Sequence, residues 1–155
     1  MIIALSVCAK AQEVNLSRNS IYLEILGNGG LYSINYERSF KASIIGRIGF
    51  ASFSSDMYGY NTRITDVPLT VSYITGKNKS HFETGGGMLL GVKKEYDVSN
   101  TLVDLIGFIG YRYQPAEKGF LFRIGLTPFY SLDGHVNYPD SGFTLSGGLS
   151  LGYHF

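Results

Sequence analysis

Three histidines, His81, His135 and His154, are the side chains best suited to move a proton, and His81 with Glu83 is the pair on one strand face that could orient a base. His81 and Glu83 are two apart, so in an extended strand they share a face, where a carboxylate could orient an imidazole as a base. The hydroxyl nucleophile would then be Ser72 or Ser80, and nothing in the spacing selects either. Two such residues do not make a metal site, because a metal ion takes three or four ligands from the protein. Gly85-Gly86-Gly87 opens no helix and has no lysine and threonine after it, so it is no phosphate loop; close strand packing or a bulge explains it. The single cysteine, Cys8, forbids an internal disulfide. These residues point to no catalytic group, no cofactor and no metal.

The remaining charge is informative through its placement. Glu24, Glu37, Asp66, Glu83 and Asp104, with Arg47, Arg112 and Arg123, each fall in a segment of period-two alternation, on the side opposite the apolar residues. No Asp, Glu, Lys or Arg stands in the middle of an apolar face. The last fourteen residues show the pattern most cleanly. Phe155, Tyr153, Leu151, Leu149, Leu145 and Phe143 face one way, while His154, Ser150, Ser146 and Thr144 face the other with intervening glycines.

The same alternation recurs along the chain. Ile21, Leu23 and Ile25 oppose Tyr22, Glu24 and Leu26, and Asn28-Gly29-Gly30 makes a tight reversal. Tyr32, Ile34 and Tyr36 follow, then Ile44, Ile48 and Phe50, with a polar loop over residues 54–61. A fourth strand over residues 63–74 and a fifth over 81–93 are joined at Gly76-Lys77-Asn78-Lys79. Residues 97–100 form a loop before the sixth strand, and residues 114–118 turn into the seventh. The longest loop, residues 131–141, precedes the eighth. The count is eight hairpin-connected strands, near the length of about 9 to 11 residues that crosses a bilayer at a tilt. The expected fold is all-β: an eight-stranded antiparallel up-and-down transmembrane β-barrel spanning residues 20–155.

Composition agrees. Gly 20, Tyr 12, Phe 10 and 16% charged residues suit paired strands and aromatic belts, and a net charge of +1 gives no electrostatic case for nucleic acid. Alternation alone does not say which face looks inward, since a soluble barrel would invert the assignment. Two features favour apolar outward. Connections after the second, fourth and sixth strands are short and those after the third, fifth and seventh longer, as in outer-membrane barrels. Aromatics also gather at the short-turn end (Tyr36, Tyr73, Phe82, Tyr111, Tyr113, Phe120, Phe122, Tyr153, Phe155), with a thinner group at Phe50, Tyr130 and Phe143, as interfacial belts require. The absence of tryptophan counts against a soluble carrier of lipocalin type. An eight-stranded interior is just wide enough for side chains to fill, so the eight charged residues are expected to pair and plug the lumen; the alternative is a narrow gated path.

Residues 1–11 read as a truncated signal peptide, an apolar run ending at Ala9-Lys10-Ala11, with residues 12–19 a periplasmic segment. Cys8 is a poor lipidation site because Val7 precedes it.

The terminal strand resembles the closing strand of bacterial outer-membrane β-barrels. There Leu149, Leu151, Tyr153 and Phe155 would correspond to the signal read by the barrel-assembly machinery. Gly110-Tyr-Arg-Tyr-Gln-Pro115, Gly119-Phe-Leu-Phe-Arg-Ile-Gly-Leu-Thr-Pro128 and Val67-Pro-Leu-Thr-Val-Ser-Tyr73 are similar to segments of small outer-membrane barrels of the Bacteroidota. That resemblance implies the bacterial outer membrane, both termini in the periplasm, and outer-membrane lipids as partners. It implies no reaction. Some barrels of this size are lipid A deacylases with a His-x-Ser arrangement or palmitoyl transferases, but no histidine here is followed two residues later by serine. Residues Asp56, Met57, Tyr58 and Tyr60, and Asp133, His135, Tyr138 and Asp140, form loops that could meet an extracellular ligand, whose identity the sequence leaves unknown.

Overall fold

The computed structural model describes residues 18–41, 43–55, 62–95, 98–132 and 142–155. The expected signal peptide and the two candidate ligand loops lie outside them. Eight strands run in chain order: β1 Asn19–Gly27, β2 Gly30–Lys41, β3 Ile44–Ser55, β4 Thr62–Lys77, β5 Ser80–Glu95, β6 Val98–Tyr113, β7 Gly119–Ser131 and β8 Phe143–His154. Each pairs antiparallel with the next, and β8 pairs back onto β1, closing the barrel. Closure removes both sheet edges, so every strand finds backbone partners on both sides.

Alternation decides which side chains look in. Ile21, Leu23 and Ile25 of β1 are exposed, as are Leu149, Leu151, Tyr153 and Phe155 at the C-terminal end. Tyr22, Glu24, Ser150 and His154, one residue out of phase, are buried. One expected inward residue, Leu26, is exposed instead. Its φ of 52° lies in the left-handed region, and the β1–β2 pairing steps from Ile25↔Tyr32 to Gly27↔Gly30 across it. The register is the same on both sides of it, so the left-handed backbone at this one residue, with no bulge, breaks the alternation and turns the leucine outward.

The strands in the middle of the chain run longer than expected. β4, β5 and β6 each have 16 residues, against 9 for β1. The expected loop over 97–100 is mostly strand, because pairing continues through Lys93↔Asn100 and Lys94↔Ser99 up to Glu95↔Val98. Polar side chains there masked a ladder that depends only on backbone groups. At that end the strands β1 and β2 are separated by residues 28–29 and β5 and β6 by residues 96–97 only, against residues 56–61 between β3 and β4 and 132–142 between β7 and β8. The expected split between long and short connections is weaker than the sequence suggested.

Two prolines sit within strands of a sheet that has no edge to receive them. The β3–β4 pairing is interrupted around Pro68 and the β6–β7 pairing around Pro128. Each ring lies against a glycine of the neighbouring strand: a Cβ on Gly49 would come within 2.7 Å of Pro68 Cγ, and one on Gly107 within 2.9 Å of Pro128 Cγ. Glycine leaves the space the ring occupies.

Candidate functional site: the charged lumen

The residues that could do chemistry are gathered inside the barrel. Arg47 on β3, Arg112 on β6 and Arg123 on β7 meet Glu24 on β1, Glu37 on β2 and Glu83 on β5, three cations against three anions, all of them buried. Arg123 spans Glu83 with Nε to Oε2 at 2.9 Å and Nη2 to Oε1 at 2.7 Å. Its Nη1 donates to the Tyr22 hydroxyl at 2.8 Å, and Tyr22 in turn donates to Glu37 Oε1 at 2.6 Å. Arg112 divides itself between Glu37 Oε2 (2.8 Å), Glu83 Oε2 (3.2 Å) and Gln114 Oε1 (2.6 Å). Arg47 pairs with Glu24 and donates to Asn35 Oδ1 from Nε (3.0 Å) and Nη2 (2.7 Å).

Burying six charges without water is costly unless each is paired and its remaining donors and acceptors are met. Here they are. Glu24 also accepts from the Asn28 backbone N–H (3.1 Å), Ser33 Oγ (3.5 Å) and Ser150 Oγ (3.3 Å). In the amide orientation that satisfies both its ends, Asn28 accepts from Arg47 Nη1 at 3.1 Å and donates to Gly107 O at 3.2 Å. The guanidinium carbon of Arg123 lies 5.0 Å from the Tyr22 ring centre and 4.4 Å from that of Phe108, within cation–π range. Glycines make room for these long side chains. A Cβ on Gly125 would meet Phe108 Cζ at 2.8 Å.

Apolar clusters lie in the lumen on either side of this layer, among buried polar groups that include Ser72 and His154 toward the termini and Asp66 and Asp104 toward the other end. Ile45 and Ile74 pack together toward the end that holds the termini, and Leu89, Ile106 and Phe129 toward the other. Asp66 and Asp104, expected in the same network, are buried in the lumen as well. They stand farther along on β4 and β6, to either side of β5, where Asp66 covers Gly91.

His81 and Glu83 share a face, as their spacing requires, but are not coupled to each other. His81 Nε2 contacts Gln114 O at 3.0 Å, while Glu83 is held by two arginines. Ser80 Oγ is outside, 3.0 Å from the Tyr111 hydroxyl. His154 is buried in the lumen near the termini.

Sequence reasoning did not single out Tyr22, Asn35, Gln114 or Asn28 as members of the network. Tyr22 and Asn35 share the phase of Glu24 and Glu37, which was the available signal. Gln114 and Asn28 sit beyond strand ends, where no periodicity assigns a direction.

The fold matches a solved barrel. The N-terminal β-barrel domain of Pseudomonas aeruginosa OprF superimposes with a TM-score of 0.60, covering 93% of this chain and 100% of that one, at 14% sequence identity. At that identity the likeness carries the fold alone. No family model and no curated protein matches the chain.

Proposed function

We propose that this protein is an integral outer-membrane β-barrel with a structural or surface-interaction role, of the kind found as small barrels in the Bacteroidota, its lumen closed by the ionic network. The observation that carries the reading is the inversion of inside and outside. Leu23, Ile34, Phe50, Val71, Ile124 and Leu145 are each about half exposed or more, while Arg112, Arg123 and Glu83 are almost completely enclosed. In water such a continuous apolar surface would drive aggregation; in hydrocarbon it is the surface required. The exposed aromatics support the same reading. Tyr36, Tyr73, Phe82, Tyr111, Phe120, Tyr153 and Phe155 form a belt toward the termini, and Phe50, Tyr130 and Phe143 a second group at the other end.

The OprF barrel domain, matched over its full length, supports the barrel fold on which this reading rests. Outer-membrane lipids are the partners, with the barrel-assembly machinery during biogenesis and the termini in the periplasm. The network speaks for a plug, because its arginines are spread over several carboxylates on opposite walls and none is left to attract a passing ion. The decisive experiment is fractionation followed by gel migration in detergent with and without heating. Recovery with outer membranes and a heat-dependent mobility shift are expected. A monomer that stays in solution without detergent would overturn the proposal.

A further inference from the structure

The outward face of β3 to β6 carries a depression that the lumen network does not explain. Cross-strand register aligns Arg38, Gly46, Val71, Gly86 and Gly107 in one row around the barrel. The Phe40 ring fills the space beside Gly46 and Pro128 that beside Gly107, so Gly86 alone leaves the outside open, and a groove of about 400 Å³ lies beside Ile48 and Leu69, with Arg38 at its edge. Arg38 is exposed and enters none of the ion pairs among the described residues.

Gly86 is the informative residue. A Cβ there would meet only Ile106 O, at 3.3 Å, whereas one on the adjacent Gly87 would come within 2.7 Å of Thr70 Cα. Gly87 is therefore required by the barrel itself, whereas at Gly86 only the Ile106 carbonyl would have to give by a few tenths of an ångström, and glycine weakens a strand interior. Its lack of a side chain keeps space free on the outside. An apolar depression on the outward face with one cation at its edge is complementary to an acyl chain that carries a phosphate.

A second copy fits less well, since a two-fold axis would set depression against depression and bring the Arg38 residues toward each other. A spanning helix would need an even strip of small residues, and the edge of the Phe40 ring already takes the space a Cβ on Gly46 would fill.

We infer that this groove seats one acyl chain of a phospholipid from the leaflet nearer the termini, with the phosphate held by Arg38; the inference rests on the membrane reading above. The test is native mass spectrometry of the folded barrel released from detergent in the presence of phosphatidylglycerol or of uncharged diacylglycerol. One phosphatidylglycerol per barrel is expected to be retained, at least tenfold in preference to diacylglycerol. Gly86→Leu should cut retention about tenfold, and Val71→Phe, filling the same space from β4, should do likewise and guard against a folding defect at Gly86. Arg38→Gln should abolish the preference for phosphatidylglycerol while leaving diacylglycerol retention unchanged. Retention indifferent to Gly86→Leu and Val71→Phe would overturn the site, and so would a dimer that these substitutions dissolve, which would give the groove to a second copy. A chain that never enters a membrane sinks both proposals; one that embeds but holds no lipid sinks this one alone.

Discussion

Arg123 grips Glu83 through two parallel hydrogen bonds of 2.9 and 2.7 Å from strands that are not neighbours, β7 and β5, so the pair ties the barrel across β6. Forked guanidinium–carboxylate geometry is the strongest form of such a contact. Removing one partner leaves the other charge buried and uncompensated. Glu83→Ala should therefore destabilise the barrel by about 3 to 5 kcal/mol. The double substitution Glu83→Leu with Arg123→Met should recover much of that loss, since an apolar pair of similar volume avoids the desolvation cost. Urea titration in lipid vesicles, following the folded band on gels, measures both. Equal losses in the single and double variants would show that the pair matters through shape alone.

The same cross-lumen ties predict electrical silence. Arg112 reaches both Glu37 and Glu83 across the lumen, and an apolar cluster lies on either side of that layer, so paired side chains stand where an ion would have to pass. The intact barrel should show no step conductance in planar bilayers, and Arg112→Ala with Arg123→Ala should create brief openings by emptying the centre. A steady conductance of the unaltered protein that these substitutions abolish would mean that the arginines form a conducting path instead.

Sidedness makes a prediction at Leu23, which is 58% exposed and pairs with the outward Ile34 and Leu151 on its two neighbours. If hydrocarbon covers it, Leu23→Arg should cost about 2 to 4 kcal/mol, while Leu31→Arg, next to the β1–β2 turn, should cost about 0 to 1 kcal/mol. Vesicle unfolding titrations resolve that difference. Equal and small effects at both positions would mean that water covers this face.

The fold was legible because a period of two survives in every strand, and the inward set could be read from Glu24, Glu37, Arg47, Glu83, Arg112 and Arg123 one by one. Periodicity fails where backbone geometry changes phase, as at Leu26, and where a ladder continues under polar side chains, as from Lys93 to Asn100. It is also silent about distance along the barrel. Asp66 and Asp104 share the face of the arginines but stand farther along β4 and β6, level with Gly91 and Leu89 of β5. Tyr22 illustrates the opposite case: its phase was plain, yet an aromatic ring gives no sign in sequence that its hydroxyl will bridge Arg123 and Glu37.

Closure at the C-terminus separates two roles of Phe155. Its backbone N–H donates to Asn19 O at 2.8 Å and its carbonyl accepts from Asn19 N–H at 3.0 Å, while its ring is about half exposed on the outward face beside Tyr153. Deleting Phe155 removes both ladder bonds and the aromatic side chain; Phe155→Ala removes the side chain alone. If the ring serves assembly rather than stability, Phe155→Ala should lower the yield of folded protein in cells several-fold. The same variant, refolded in vitro, should lose no more than about 1 kcal/mol, the scale of a surface aromatic contact. The deletion should add the loss of about two net hydrogen bonds, roughly 1 to 3 kcal/mol. Comparable folded yields for Phe155→Ala and the unaltered chain in cells would show that the terminal ring is not read during insertion, leaving Asn19 pairing as the only function of the last residue.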